Sequence, residues 1–317
     1  MFSPEHCGLV FNAQQVKRAR ANRQKKPFEA AWQHLLNTEP EKPLARIQRN
    51  GLRWRFADDA KAGAAAVNGL DVFLHQPNLP EAPVERATIL FIISQCIELL
   101  RDHSAFDEPL KARAFSWLEQ AFADESAEDA NPAAALWSAV AQVAASIVLA
   151  REDEFEAGAA VFRLIIAEEV HPEGYLTNAV DFLEVESLHN QILAAQALTL
   201  IAEMAAQVGV DLWSFHQRGV SALTAVTYPL YYYFYPEQWP WNGDPYKPSD
   251  GVPLETAQAM FRERAGFLEI AAPRYERPLK AIRMILDELR PVDDMSSGGL
   301  LTLAFAEPKR KRRLLFG

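Results

Sequence analysis

The chain has 317 residues, of which 49% are apolar and 23% are charged. This composition is ordinary for a folded globular protein and excludes a chain that is disordered throughout. The 32 Lys and Arg residues against 42 Asp and Glu give a formal net charge of -10. A general nucleic-acid binder would carry a basic face, so we expect no nucleic-acid partner.

The two cysteines, Cys7 and Cys96, cannot form a disulfide framework, and neither lies at a zinc-binding spacing. The N-terminus lacks the basic and then apolar order of a secretory signal. The longest apolar stretch, 133–150, is rich in Ala and carries three polar residues at four-residue spacing, which predicts a buried helix and not a membrane span. We expect a cytoplasmic protein that has no membrane contact, no metal site and no cofactor.

Apolar residues recur at helical spacing along most of the chain, and the 14 glycines are few. Asn131 and Pro132 are typical of a helix start, Gly209 of a helix end, and Asp211 of the N-cap of a further helix. In chain order the predicted helices cover 14–36 (which Pro27 could break), 85–101, 109–123, a helix opened by Asn131-Pro132, 154–170, 188–208, 211–227, 255–271 and 278–289.

Eight or more helices with short connections favour a helical bundle, a repeat solenoid or an α/α toroid. The absence of a fixed repeat period weakens the solenoid. No Pro-rich linker divides the chain, so we expect one all-α domain over residues 1–308. A basic tail, 309–317, follows; we interpret it as a solvated terminus, with a weak polyanion or nucleic-acid contact as the alternative.

One stretch, 187–215, resembles the central segment of the alginate lyase family of polysaccharide lyases. The matching motifs are Leu-His at 188–189, Ala-Leu at 197–198, Ala-Glu at 202–203 and Gly-Val-Asp-Leu-Trp at 209–213. Looser similarity extends from about residue 9 to about residue 305. The resemblance implies a single α/α toroid, which is an incomplete α/α barrel of antiparallel helical hairpins. It also implies β-elimination on an acidic, uronate-containing polysaccharide or oligosaccharide.

The family's catalytic pattern does not fall where the resemblance would place it. The reaction needs a group that neutralises the C5 carboxylate, a base for the C5 proton and an acid for the departing O4. The family's Asn-Asn-His triplet aligns with Pro-Ala-Ala at 132–134, its Arg with Leu183 and its Tyr with Asn190. Two interpretations remain open: a divergent, metal-independent lyase, or a catalytically inactive scaffold or sugar-binding protein on the same fold.

The candidate catalytic residues are His189, which titrates near working pH, and Tyr233, from an aromatic segment at 228–246. If that segment were extended, its tyrosines would alternate and could stack on sugar rings. The competing interpretations are a buried structural histidine and a loop that packs its own rings. The candidate substrate-binding residues are the amides Asn131 and Asn190, the rings Trp137, Tyr231, Tyr235, Trp239 and Trp241, and the cations Arg53 and Arg55.

Overall fold

The structure is a computed structural model that describes residues 2–123, 132–244, 246–277 and 279–308. Within these ranges nearly all regular structure is helical, with one short pair of strands. The helices are α1 (Ala13–Asn22), α2 (Phe28–Asn37), α3 (Pro43–Ala57), α4 (Ala60–His75), α5 (Pro83–Leu100), α6 (Glu108–Ala123), α7 (Pro132–Leu149), α8 (Glu152–Glu168), α9 (Glu184–Gln207), α10 (Ala222–Thr227), α11 (Leu230–Phe234), α12 (Leu254–Glu263), α13 (Gly266–Ala271), α14 (Lys280–Leu289) and α15 (Thr302–Phe305). The strands are β1 (Asp293–Asp294) and β2 (Gly299–Leu300), which pair antiparallel.

The helices form an inner and an outer ring. Successive contacts run from α3 to α5, α7, α9 and α13 on the inside, while α4, α6, α8 and α10 pack against this inner set. Helices α5, α7 and α9 bury side chains on nearly all their faces, because each has neighbours on every side. The alanines of α7 let α5 and α9 approach closely. The predicted all-α class and α/α toroid are confirmed.

The two ends of the chain close the ring. Helix α15 packs against α1 and α2, and β2 packs against α3. The turn between the strands contains Gly298 at φ +113° and Gly299 at φ +90°. A Cβ at Gly299 would lie 2.6 Å from Leu52 Cδ1, so only glycine fits this backbone approach. The β1–β2 hairpin is therefore held tightly against the inner helices.

The observed helices differ from the predicted ones in several places. Helices α3 and α4 were not predicted. They are joined by Asp58, which adopts the left-handed conformation at φ 56°, and by Asp59, which caps α4. Asp211 does not begin a helix: its carboxylate accepts the Ser214 N–H at 3.1 Å in a turn, and α10 begins only after Ser221. The predicted helix 255–271 is two helices, α12 and α13.

The Ala-rich stretch 133–150 forms most of α7, which is buried between α5, α8 and α9. Of the helices in the described part of the chain, none combines the length and the hydropathy that a membrane crossing requires. Residues 309–317 lie outside the described residues, so the expected domain boundary at residue 308 stays a prediction.

Candidate functional site

His189 lies in the second turn of α9, the longest helix among the described residues. Glu184 and Glu186 precede it in the first turn, where the helix dipole favours negative charge. While its neighbours on the helix are almost all buried, the His189 side chain is partly exposed. The imidazole is therefore a titratable group that solvent or a ligand can reach. The other residues of α9 between 187 and 205 are buried.

The pKa of His189 is lowered, first by burial and second by the positive charge of Arg264. The carboxylates of Glu263 and Glu186 act in the opposite direction with smaller effect. A histidine with a pKa below its usual value is neutral at pH 7. The neutral imidazole is the form that can accept a proton, so the surroundings of His189 favour a general base.

Arg264 follows the last residue of α12 and supplies the cation of this site. Its Nη1 donates to Ser296 Oγ at 3.1 Å, and its guanidinium carbon lies 6.0 Å from the centre of the Trp137 ring. Its ion pair with the exposed Glu263 is long, at 3.8 Å. Its buried Nε has no hydrogen-bond partner among the described residues. The Arg264 side chain is 15% exposed, and its Nη2 makes only the long contact with Glu263 among the described residues, so its charge is open to an anion.

A buried polar network holds Arg264 in place. Ser296 Oγ also accepts from Gln196 Nε2 at 2.8 Å and donates to Asp294 Oδ1 at 2.6 Å. Asp294 is almost fully buried, and this burial raises its pKa. Gln196 and His189 are seven residues apart, so they lie on the same face of α9. The network links α9, α12 and the β1–β2 hairpin around the arginine.

Asn190 provides a second group with an unused donor. Its side chain is 7% exposed, and its Nδ2 has no partner within the described residues. The next residue, Gln191, accepts the Leu176 N–H at 2.9 Å and fixes the loop before α9. An amide N–H can donate to a carboxylate or hydroxyl but cannot remove a proton. Asn190 follows His189 in α9 but its donor is buried, so its predicted contact with substrate remains a prediction.

The tyrosines of the aromatic segment are helical and not extended, because residues 230–234 form α11. Tyr231 and Tyr235 share one side of this helix, with ring centres 5.0 Å apart and about half of each side chain exposed. Tyr233 points into the core at 1% exposure and packs against Phe261. Burial and the nearby Glu288 raise the pKa of Tyr233 to about 12. The expectation that Tyr233 acts as acid or base is therefore corrected, since a buried phenol of this pKa is a poor proton carrier.

Two predicted substrate-binding tryptophans belong to the core. Trp137 is fully buried, and its Nε1 donates to the Leu193 carbonyl at 3.2 Å. Trp239 is 1% exposed, and its Nε1 donates to Ser187 Oγ at 2.6 Å. A ring with no exposed face has none to offer a sugar, so both expectations are corrected. The Trp137 ring instead packs against the Arg264 guanidinium.

Trp241 differs from these two because it is partly exposed. It lines a cavity of about 410 Å³ between residues 177–181 and residues 240–247. Its Nε1 donates to the Tyr228 hydroxyl at 2.9 Å, and its ring lies 4.7 Å from that of Tyr175. Of the predicted aromatic contacts, Trp241 and the exposed pair Tyr231 and Tyr235 stay predictions.

The two predicted cations of α3 lie in different surroundings. Arg53 donates to the carbonyls of Leu35 and Leu36, both at 2.9 Å, at the end of α2. This satisfies open helix carbonyls, and the expected contact of Arg53 with substrate stays a prediction. Arg55 donates to Asp102 and to the Glu98 carbonyl, both at 2.8 Å. Arg55 also borders a separate cavity of about 510 Å³, so its binding role stays a prediction.

Asn131 lies outside the described residues, and its predicted contact with substrate stays a prediction. Within residues 2–123, 132–244, 246–277 and 279–308, no three His, Cys, Asp or Glu side chains are grouped so that they could hold a metal ion.

A family model described as alginate lyase matches residues 47–239. The chain belongs to the alginate lyase family. This match covers α3 to α11 and therefore includes His189 and Asn190. The resemblance that the motifs at 187–215 indicated is confirmed.

The fold is also similar to solved structures of alginate lyases. The structure of alginate lyase A1-III from Sphingomonas species A1 superposes with a TM-score of 0.71 at 15% identity, over 97% of this chain and 98% of that one. A Tyr-to-Phe variant of A1-III complexed with tetrasaccharide gives 0.72 at 14% identity, over 98% of each chain. An alginate lyase from Bacteroides ovatus gives 0.64 at 14% identity, over 94% of this chain and 98% of that one. Among curated proteins, none matches the sequence.

Sequence reasoning did not find Arg264. The arginine is 75 residues after His189 and lies in no recognisable motif. Only the packing of α12 against α9 brings the two together. In the sequence, Arg264 lies inside the predicted helix 255–271, where an arginine is more often a solvated charge.

Proposed function

We propose that this member of the alginate lyase family is a polysaccharide lyase that cleaves a uronate-containing polysaccharide or oligosaccharide by β-elimination. The observation that carries the proposal is the arrangement at α9. A partly exposed histidine of lowered pKa lies near an arginine whose ion pair with Glu263 is long, at 3.8 Å. These are a base and a cation for an anionic substrate.

In this proposal the carboxylate of the uronate ring pairs with Arg264. The positive charge withdraws electron density and makes the C5 proton more acidic. The neutral imidazole of His189 removes that proton. The electron pair of the C5–H bond becomes the C4=C5 double bond, and the C4–O4 bond breaks.

The departing O4 takes a proton as the bond breaks. The imidazolium of His189, formed in the first half of the step, is a donor that can return it. This use of one group requires the C5 proton and O4 to lie on the same face of the sugar ring. The products are an unsaturated uronate end and a new hydroxyl end, and no water, metal or redox partner is consumed.

The runner-up proposal is a sugar-binding protein that retains the fold without the chemistry. It is supported by the absence of the family's Asn-Asn-His triplet at 132–134 and of its Arg and Tyr at Leu183 and Asn190. Location in the cytoplasm and independence from metal ions also remain proposals. If the lyase is metal-independent, an excess of chelator leaves its rate unchanged.

The test is the absorbance of the unsaturated uronate while the protein is incubated with alginate, its two block types and other polyuronates. We expect a rise with at least one polymer. His189→Gln should lower the rate about 100-fold or more, the usual effect of losing a general base. The matched control is His216→Gln, because His216 is exposed and bonds only to the Ser214 carbonyl within its own turn.

An unchanged rate in His189→Gln would contradict the assignment of the base. A flat trace on every polymer with ligand-dependent tryptophan fluorescence would favour the sugar-binding protein. A flat trace without binding would overturn both.

A further inference from the structure

The cavity beside Trp241 is lined by a second set of polar groups, separate from His189 and Arg264. Its volume of about 410 Å³ lies within the range of small-ligand pockets. One wall consists of the partly exposed Trp241 ring and Pro240, and the opposite side carries Thr177, Asn178 and Asp181. We infer that this cavity binds a neutral sugar ring through its vicinal hydroxyls.

The wall formed by the Trp241 ring is held in place by contacts within the protein. The Trp241 Nε1 donates to Tyr228, and its ring packs against Tyr175 at 4.7 Å between centres. Tyr175 in turn stacks on His171 at 4.4 Å with the planes 18° apart. A ring fixed in this way can bind the apolar face of a sugar with little loss of side-chain entropy.

The loop that follows Trp241 is also fixed. The Asp244 N–H donates to Asn242 Oδ1 at 2.9 Å, and Asn242 Nδ2 donates to the carbonyls of Lys247 and Pro248. Gly243 adopts φ +73°, and a Cβ there would lie 3.0 Å from the Phe182 carbonyl carbon. The loop therefore packs directly on the chain that leads into α9.

The charges of the cavity exclude a uronate as its preferred occupant. Lys247 is paired with Asp244 at 3.0 Å, which neutralises the cavity's single Lys or Arg. Asp181 is exposed and has no hydrogen bond or ion pair with any described residue. The remaining charge is negative and would repel a carboxylate. A free carboxylate instead accepts hydrogen bonds from two neighbouring hydroxyls.

The contrast with the site at α9 supports this assignment. There, Arg264 supplies a positive charge with only a long ion pair to Glu263, which suits an anion. Here, the unpartnered group is an acceptor and suits hydroxyl donors. The inference concerns binding only, so it stands or falls independently of the proposed elimination.

Isothermal titration calorimetry with neutral hexose oligosaccharides (gluco-, manno- and galacto-configured) tests the inference on the full chain. We expect at least one of them to bind. Trp241→Ala should weaken that binding about tenfold, the scale of a lost aromatic contact. The matched control Trp117→Ala should not weaken it, because Trp117 is also partly buried but packs against Phe73 in the outer ring.

Asp181→Asn provides a variant that cannot fail through misfolding, because the carboxylate holds nothing in place. It should weaken neutral-sugar binding, while Asp153→Asn, an exposed acid in the first turn of α8, should not. Absence of binding by every neutral oligosaccharide would overturn the inference. So would a uronate oligosaccharide whose binding is lost in Trp241→Ala and improved in Asp181→Asn.

Discussion

Two arginine–tryptophan pairs pack against α9, and they differ in what the arginine binds. Toward its C-terminal end, Arg274 lies 5.3 Å from the ring of Trp213 and donates to Glu203 at 2.5 and 3.1 Å. Nearer its N-terminal end, Arg264 lies 6.0 Å from the ring of Trp137, donates to the Ser296 hydroxyl and reaches the exposed Glu263 only at 3.8 Å.

The pair at Glu203 is complete. The carboxylate is 1% exposed, and it also accepts from Trp213 Nε1 and Gln207 Nε2. The arginine has no need of a further partner, so this cluster is structural. The pair at Trp137 is incomplete, since Arg264 Nε has no partner in the described part of the chain. The comparison teaches that residue types alone do not identify a site, whereas unused hydrogen-bonding capacity beside a titratable group does.

The largest expected difference between the pairs is in activity. Arg264→Gln should lower the rate of uronate elimination about 100-fold or more, because it removes the charge that stabilises the developing anion. Arg274→Gln should leave the rate per folded molecule unchanged. The measurement is the unsaturated-uronate absorbance at saturating polymer, with the folded fraction checked by circular dichroism.

Equal rates in the two variants would show that Arg264 does not bind the reacting carboxylate. A large loss in Arg274→Gln, at full folding, would show that the complete pair also contributes to the site.

The second difference between the pairs is in stability, where Arg274→Gln should have the larger effect. Arg274→Gln should lower the free energy of unfolding by about 2 kcal/mol, because it leaves the buried Glu203 without its cation. Arg264→Gln should lower it by less, about 1 kcal/mol, since it removes one hydrogen bond to Ser296 and a charge that only partly offsets the burial of Asp294. Urea unfolding with a common m-value measures both, and equal losses would contradict the distinction between a complete and an incomplete pair.

The loss in Arg274→Gln should depend on pH. Burial raises the pKa of Glu203, while Arg274 opposes that rise. Without the arginine the pKa rises further, so the folded protein keeps a proton on Glu203 after the unfolded chain has lost it. A raised carboxyl pKa stabilises the fold at low pH, and this stabilisation is lost as the pH rises. The stability deficit of the variant should therefore be small near pH 4 and larger at pH 7; a deficit that does not change with pH would contradict this.

Much of the fold could be predicted from the sequence because helical periodicity is a local property. The buried stretch at 133–150 and the long helix through His189 followed directly from their apolar spacing. The prediction of a helix start at Asp211 was wrong because an aspartate side chain can cap a helix or close a short turn. Only the residues that follow determine which of the two structures forms. Helices α3 and α4 were not predicted, although Asp59 carries a capping signal.

Only part of the candidate site at α9 could be predicted from the sequence. His189 and Asn190 could be named because they lie within the motif at 187–189 and beside it. Arg264 could not, because its place depends on the packing of α12 against α9. Tyr233 was named together with Tyr231 and Tyr235 because the three would share one face of an extended chain. The segment is instead a short helix, in which Tyr233 faces the core while Tyr231 and Tyr235 stay exposed.

The smallest expected effect is also the most direct test of the incomplete pair, because it does not require activity. The charge of Arg264 lowers the pKa of His189, while that of Glu263 raises it. Arg264→Gln should therefore raise the pKa of His189, and Glu263→Gln should lower it further. Proton NMR of the imidazole measures both shifts, with the resonance among the 7 histidines assigned by its absence in His189→Gln.

The two shifts have opposite signs, which separates electrostatics from a general loosening of the structure. Loosening would expose the imidazole and move its pKa upward in both variants, since burial is the largest cause of the lowered value. Arg274→Gln serves as the distant control and should leave the resonance unmoved. Opposite shifts in the two local variants and none in the control would show that His189 and Arg264 form one electrostatic unit.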